Sequence, residues 1–167
     1  MTYFITGTRR GLGEALSIFY DTVDTLEECD VFINCKHNGF EQVELLYKAA
    51  ELKKRIINIG SNSPDGNKSF PHIYAVQKSA LDKANEQLFY LGIDTTIIRF
   101  GYFDSPRVAR FDKPKMTIGY CVSVVDWVLN QPYRVKEITI CPSSIDDKNN
   151  SHGPWDDRWE RINRPLD

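Results

Sequence analysis

The sequence predicts an α/β domain in which a mostly parallel sheet carries helices on both faces. Short apolar runs rich in β-branched residues alternate along the chain with amphipathic segments of helical period. The length of 167 residues fits one domain, and a hydrophobic content of 41% suffices for a buried core. We expect the domain to span residues 1–141 and residues 142–167 to form a polar C-terminal tail.

The strands are predicted from apolar runs that end at turn residues. The run DVFINC is continuously apolar, as in strands that are buried on both faces, and RIINI is the next predicted buried strand, closed by Gly60. The predicted strands cover residues 1–6, 30–35, 55–59, 93–99 and 137–141.

The helices are predicted from apolar residues spaced three and four positions apart. Gly92 stands where a left-handed residue would end the third helix. A loop at residues 100–115 precedes the last helix. The predicted helices cover residues 12–20, 40–54, 74–91 and about 117–130.

Composition and charge exclude several classes of protein. With 21 basic and 23 acidic residues, the net charge of −2 gives no electrostatic footprint for a nucleic acid. The longest apolar stretch, residues 118–129, is too short to span a membrane, and no apolar leader opens the sequence. The four cysteines form no C-x-x-C pair and the three histidines lack metal-ligand spacing. We therefore expect reduced cysteines, no metal site and a cytoplasmic location.

A glycine-rich turn, TGTRRGLG, lies between the first strand and the first helix. Its glycines Gly7, Gly11 and Gly13 allow a tight bend, a close approach of backbone to pyrophosphate, and close packing of helix on strand. Arg9 and Arg10 add guanidinium groups that bind phosphate bidentately, and one of them would bind the 2′-phosphate of NADP(H). The alternatives are a glycine-rich turn without a ligand and a solvated arginine pair.

A serine, a tyrosine and a lysine stand where they could transfer a proton. Tyr74 and Lys78 lie four residues apart on one face of a predicted helix, and Ser61 follows a buried strand thirteen residues before the tyrosine. A tyrosine side chain works as an acid or base near neutral pH only where a nearby cation stabilises its phenolate, and the lysine would supply that cation. The serine would hold a substrate oxygen. The alternative for the tyrosine and lysine is a solvated helix face.

These motifs together resemble those of the short-chain dehydrogenase/reductase family over residues 1 to about 141. The TGxxxGxG element of the family corresponds here to Thr6, Gly7, Gly11, Leu12 and Gly13. The catalytic serine, tyrosine and lysine of the family correspond to Ser61, Tyr74 and Lys78, with the usual spacing between serine and tyrosine. An arginine just before the second glycine, here Arg10, is typical of members that prefer NADP(H).

The resemblance implies roles for two further segments. Phe100-Gly101 matches the family's proline-glycine turn, and residues 102–106 resemble the segment that contacts nicotinamide, with Ser105 in the usual threonine place. Of the family's NNAG element only Asn34 remains, and Asn38 is the expected fourth catalytic residue. The expected cofactor-binding residues are Gly7, Arg9, Arg10, Gly11, Leu12, Gly13, Asn34, Tyr74, Lys78, Gly101, Phe103 and Ser105.

The chain is shorter than the family pattern after the glycine turn. Only sixteen residues separate Gly13 from Asp30, too few for two strands and their helices, because each crossing of a sheet takes about a dozen residues or more. We therefore expect a Rossmann-like, doubly wound parallel sheet of about five strands, with at most a vestige of the second strand at residues 21–24. None of the nearby acids, Asp24, Glu27 and Glu28, is assigned to the adenosine ribose. The first strand would be a sheet edge, covered by the tail or by a neighbouring subunit.

The resemblance implies an NADP(H)-dependent oxidoreductase, with NAD(H) as the less suited cofactor. It would transfer a hydride between nicotinamide and a small carbonyl or alcohol substrate. Family members dimerise through the helices that match residues 40–54 and 74–91, so a homodimer or homotetramer is implied, without nucleic-acid or membrane partners. One alternative is a nucleotide-sensing or scaffold protein that has lost catalysis. Another is an epimerase or dehydratase of the same superfamily, which needs a larger substrate domain than this chain holds.

Overall fold

The computed structural model describes residues 1–65 and 70–142, which form a five-stranded sheet and four α-helices. The strands are β1 (Tyr3–Ile5), β2 (Val31–Asn34), β3 (Arg55–Ser61), β4 (Thr95–Phe100) and β5 (Glu137–Ile140). The helices are α1 (Gly11–Phe19), α2 (Glu41–Glu51), α3 (Ile73–Tyr90) and α4 (Ile118–Leu129), with a short 3-10 helix at Pro106–Val108. Each predicted strand and helix is confirmed, with its ends shifted by at most about three residues.

The five strands lie side by side in chain order, and every neighbouring pair is parallel. All residues of β2 and β4 are buried, which explains the apolar run VFI of β2, whereas the residues of β5 are exposed or half-buried. Because the strands are parallel, their carboxyl ends share one edge of the sheet. We refer to this edge as the carboxyl edge.

The helices cover the two faces of the sheet in pairs. Leu12 and Leu16 of α1 share one apolar core with Val125 of α4. Leu46 of α2 and Leu81 of α3 belong to the core on the opposite face. The prediction of helices on both faces is therefore confirmed.

The helices change face between β1 and β2 at the carboxyl edge. The chain leaves β1 toward α1 on one face and leaves β2 toward α2 on the other. In open parallel sheets, ligands bind outside the carboxyl ends of strands whose connections leave to opposite faces. The β2–α2–β3 and β4–α4–β5 connections advance across the sheet in the same direction. Because α2 and α4 lie on opposite faces, the two crossovers have opposite handedness.

Strand β1 is an edge of the described sheet, as the shortened sequence predicts. Its outer side is covered at the first residue, because the backbone N–H of Tyr3 donates to the carbonyl of Asp21 and its carbonyl accepts from the N–H of Val23, both at 2.9 Å. This single parallel bridge is the predicted vestige of a second strand. The chain then passes to the opposite face, where Leu26 and Cys29 enter the core beneath α2 and α3.

The outer side of β1 is thus covered by its own chain at this point, and the covering predicted for the tail falls on residues 143–167, outside the described ones. Gly92 has a φ of +89°, which confirms the left-handed end of α3. All four cysteines are free. Among the described helices, none has the length and apolar character needed to cross a membrane.

Candidate active site

The glycine turn joins β1 to α1 at the carboxyl edge. Gly7 and Gly11 have φ angles of +78° and +67°, in the left-handed region that favours glycine. A Cβ on Gly13 would lie 2.2 Å from the carbonyl oxygen of Gly7, so only glycine lets the helix start this close to the turn. Leu12, beside it, is buried in the core. The first N–H groups of α1 therefore sit against the turn, as an anion-binding helix N-terminus requires.

Arg9 and Arg10 are exposed on this turn. Arg10 precedes the first residue of α1 in extended backbone conformation, and its side chain makes no capping hydrogen bond. None of the ion pairs within residues 1–65 and 70–142 involves either arginine. Two guanidinium groups thus lie beside the helix N-terminus, and no carboxylate of the described residues forms an ion pair with them.

Tyr74 and Lys78 come together at the start of α3. The Lys78 ammonium lies 5.6 Å from the centre of the Tyr74 ring, and it donates to the carbonyl of Ile59 at 3.0 Å. Ser61 ends the same strand, β3, and is 8% exposed. Its hydroxyl oxygen accepts from the backbone N–H of Ser63 at 3.0 Å, and no hydrogen bond joins it to Tyr74 in the described part of the chain.

Gln42 in the first turn of α2 holds Lys78, and the sequence reasoning did not assign it. Its Oε1 accepts from the Lys78 ammonium at 2.8 Å, while its Nε2 donates to the carbonyls of Asn34 and Ile59 at 2.8 and 3.2 Å. Gln42 and Lys78 are 2% and 3% exposed, respectively. Two of the three ammonium N–H groups thus have buried acceptors, which fixes the side chain in one position. A sequence signal existed, because Gln42 shares a helix face with the buried Leu46 and Ala49.

Burial lowers the pKa of Lys78 from 10.5 to about 8. Negative charge on Cys35 or on Asp82 opposes this lowering, and the positive charge of Arg107 adds to it. Burial also raises the pKa of Cys35 to about 11, which keeps this thiol neutral near neutral pH.

The two asparagines predicted for the site lie in different surroundings. Asn34 is fully buried, and its amide donates to the carbonyl of Gln42 at 2.8 Å and to Asn58 Oδ1 at 3.0 Å, so its side chain lies inside the fold. Asn38 is exposed and donates to Glu41 Oε2 at 2.9 Å. The structure therefore brings Gln42, and not Asn38, to Lys78.

Two further residues that the sequence reasoning left out border Tyr74. The ring of His37 meets the tyrosine ring edge to face at 4.7 Å between centres, and the guanidinium of Arg107 lies 5.6 Å from that ring. Burial lowers the pKa of His37 below 6.5, with Lys78 and Arg107 adding to the effect, so its imidazole is neutral near neutral pH. Both residues lie in segments that carry no helix or strand pattern, so the sequence alone gave no signal for these contacts.

The loop after β4 extends to the glycine turn. Gly101 donates its backbone N–H to the carbonyl of Ile140 at 2.8 Å, and the ring of Phe103 packs against Phe100. The Cβ of Ser105 lies 3.8 Å from the place where a Cβ on Gly11 would stand. The three predicted residues of this loop therefore lie in one segment that begins at the carboxyl edge and approaches the turn.

Solved structures of similar shape identify the fold. A 4-hydroxyisoleucine dehydrogenase mutant complexed with NADH and succinate matches with a TM-score of 0.66 at 14% identity, over 89% of this chain and 100% of its own. An alcohol dehydrogenase from the archaeon Thermococcus sibiricus complexed with 5-hydroxy-NADP gives 0.64 at 15% identity, over 86% and 97%. A short chain dehydrogenase from Burkholderia cenocepacia in complex with NADP gives 0.63 at 13% identity, over 98% and 97%. This chain has the short-chain dehydrogenase fold.

The short-chain dehydrogenase fold confirms the resemblance seen in the motifs. No protein-family model matches the sequence, and a search of curated proteins gives no significant match. The alignment with the 4-hydroxyisoleucine dehydrogenase extends over all of that chain. The shortening of this chain is therefore internal, and the sequence places it between α1 and β2.

Proposed function

We propose that this protein is an NADP(H)-dependent oxidoreductase of the short-chain dehydrogenase/reductase type. It would transfer a hydride between nicotinamide and a small carbonyl or alcohol substrate. The observation that carries the proposal is the pairing of Tyr74 with the buried ammonium of Lys78 at the carboxyl edge, where the glycine turn also lies. Burying an ammonium disfavours folding, so a pure binding module has no physical reason to keep one beside a phenol.

The residues at this edge fit a nicotinamide nucleotide. The close approach of Gly13 to Gly7 leaves backbone N–H groups at the start of α1 for phosphate, and Lys78 keeps one N–H group beyond those held by Gln42 and Ile59. A bound nicotinamide supplies a hydride to a carbonyl carbon or accepts one from an alcohol carbon.

The side chains divide the remaining chemistry. In the reducing direction Tyr74 gives its hydroxyl proton to the substrate oxygen, and the ammonium of Lys78 stabilises the phenolate that remains. Ser61 donates its hydroxyl hydrogen to the same oxygen, because its own oxygen already accepts from the Ser63 N–H. Gln42 keeps Lys78 in position. Asn38 stays a predicted fourth member whose side chain points to Glu41.

The two arginines support NADP(H) over NAD(H). Arg9 and Arg10 are exposed beside the N-terminus of α1, where a guanidinium can bind a phosphate bidentately. NAD(H) has a 2′-hydroxyl in place of the 2′-phosphate of NADP(H), so it would give the two arginines no anion to bind.

We also propose a homodimer or homotetramer in the cytoplasm. Large apolar side chains on α2 and α3 are exposed, among them Tyr47, Val76 and Tyr90, and the described cysteines are free, as in a reducing compartment. Sedimentation of the purified protein checks the assembly, and a monomer at micromolar concentration would contradict it.

The substitution Tyr74→Phe tests the proposed reaction. A panel of aldehydes and ketones is supplied with NADPH, and loss of the reduced nicotinamide is followed by absorbance. Because phenylalanine has no proton to give, we expect the rate to fall by about 100-fold or more while NADPH binding is retained. Tyr133→Phe is the matched control, because Tyr133 is 84% exposed. An unchanged rate in Tyr74→Phe would refute the assignment.

A second candidate is a nucleotide-sensing or scaffold protein. The observation that favours it is the trimmed outer side of β1, where the described chain keeps a single bridge at Tyr3. NADPH binding without turnover of any compound in the panel would support this candidate.

A further inference from the structure

The sheet retains one of the two halves from which dinucleotide-binding sheets are built. Such a sheet combines two mononucleotide-binding units, and an acidic residue about twenty positions after the glycine turn binds the ribose of the adenosine half. In this chain β2, β3 and β4 follow one another with α2 and α3 between them. On the other side of β2 the described residues supply β1, α1 and one bridge to residue 22.

The segment that replaces the missing strands runs away from the glycine turn. Glu27 pairs with Lys48 at 2.9 Å, and its carbonyl accepts from the ammonium of Lys54 at 2.8 Å. Lys54 directly precedes β3, so these contacts lie at the amino ends of the strands. Asp30 likewise accepts from the N–H of Thr2, just before β1. The carboxylates of Glu27 and Asp30 are therefore at the opposite edge of the sheet.

The end of β1 offers little to an adenosine. Thr6 accepts at its Oγ1 from the backbone N–H groups of Cys35 and Lys36, at 2.9 and 3.0 Å, so its hydroxyl oxygen is occupied within the fold. A Cβ on Gly7 would lie 3.1 Å from the Cβ of Lys36, so the chain just after β2 packs closely against the glycine turn. On the outer side, none of the described residues forms a strand beyond the bridge at residue 22.

The nicotinamide side is complete by comparison. The hydroxyl of Ser61, the phenol of Tyr74 and the ammonium of Lys78 all lie at the ends of β3 and α3 that face the carboxyl edge. The loop with Ser105 closes on Gly11 from the β4 side. The contacts that would hold phosphate, ribose and nicotinamide are thus present, and those that would hold adenosine are not among the described residues.

We propose that this protein binds nicotinamide nucleotides through their nicotinamide mononucleotide half, so that reduced nicotinamide mononucleotide serves as hydride donor nearly as well as NADH. The inference rests on the proposed function and specifies its cofactor class. The adenosine of a dinucleotide then extends into solvent from the glycine turn. Its 2′-phosphate, when present, meets Arg9 or Arg10 and is the one feature of that half that adds affinity.

Direct binding of three reduced nicotinamides to the full chain tests the inference, with the fluorescence of the reduced ring as readout. We expect the dissociation constant of reduced nicotinamide mononucleotide to lie within about fivefold of that of NADH, because the adenosine adds few contacts. NADPH should bind more tightly than either, and Arg10→Ala should bring NADPH close to NADH.

The outcomes separate this inference from the proposed function. If NADH binds about 100-fold or more tightly than the mononucleotide, an adenosine site exists and the inference is overturned while the oxidoreductase remains. If none of the three reduced nicotinamides binds, the proposed function itself is refuted. Comparable turnover of one carbonyl compound with NADH and with the reduced mononucleotide would support both.

Discussion

Replacing Lys78 with methionine should change how the stability of this protein depends on pH. Methionine has a similar length and no charge, so Lys78→Met removes a buried ammonium that is 3% exposed. Burial lowers the pKa of this ammonium from 10.5 to about 8. Between these two values the unfolded chain binds a proton that the folded chain has released.

The sign and size of the effect follow from this difference. Because the unfolded state binds more protons in this window, the free energy of unfolding of the wild type rises with pH from about 8 to about 10.5. Below pH 8 both states are charged and the cost of burying the ammonium is fully present. Above pH 10.5 both are neutral and that cost is gone. A difference of about 2.5 pH units corresponds to about 3 kcal/mol.

Urea unfolding of both proteins between pH 7 and pH 10.5 measures the effect without a substrate or a cofactor. The wild-type free energy minus that of Lys78→Met should rise by about 3 kcal/mol across the window, whereas a constant offset would report only the packing change. Lys83→Met is the matched control, because the Lys83 side chain is 69% exposed and lies in the same helix. A difference for Lys78→Met that stays flat with pH would refute the buried ammonium.

Two further predictions concern the glycine turn and Gln42, which accepts a hydrogen bond from Lys78. Gly13→Ala would place a Cβ 2.2 Å from the Gly7 carbonyl oxygen. In urea unfolding it should lower the free energy of unfolding by about 1–3 kcal/mol, and it should also weaken NADPH binding. The control Gly119→Ala has open space around the added Cβ and should be neutral or stabilising by up to about 1 kcal/mol. Equal effects at the two glycines would contradict the crowding at the turn. Gln42→Leu removes the Oε1 that accepts from the Lys78 ammonium, a hydrogen bond to a charged donor worth about 1.5–3 kcal/mol. The pKa of Lys78 should therefore fall below 8 by about one to two units. Gln42→Glu places a negative charge there and should raise this pKa. The pH at which stability begins to rise measures both changes, and the same pH in all three proteins would contradict the role of Gln42.

The fold was largely predictable because each element carries its own local pattern. The run RIINI carries three isoleucines because β3 lies between two helical layers, and Gly92 marks the end of α3 because it takes a left-handed conformation. The internal shortening was also predictable, because chain length limits how often a sheet can be crossed. The path of residues 20–30 around β1 was not, because it depends on packing of Leu26 and Cys29 against a distant face.

The candidate site was predictable where a residue pattern had a fixed spacing. Tyr74 and Lys78 lie one helical turn apart, so their contact follows from the helix alone. Gln42 comes to Lys78 from another helix, and Arg107 comes to Tyr74 from a loop, so both contacts depend on tertiary structure. Asn38 is predicted as the fourth catalytic residue from the family resemblance, but its position before α2 directs its amide to Glu41.

The chain-order arrangement of the five strands has a consequence for how the protein folds. Each strand pairs only with strands next to it along the chain, and paired residues lie about 24 to 40 positions apart. In a sheet whose first strand pairs with strands that come much later in the chain, longer loops must close before the first contacts form. Here every newly synthesised strand finds its neighbour already made, so the protein can assemble in order from its first strand to its last as it emerges from the ribosome.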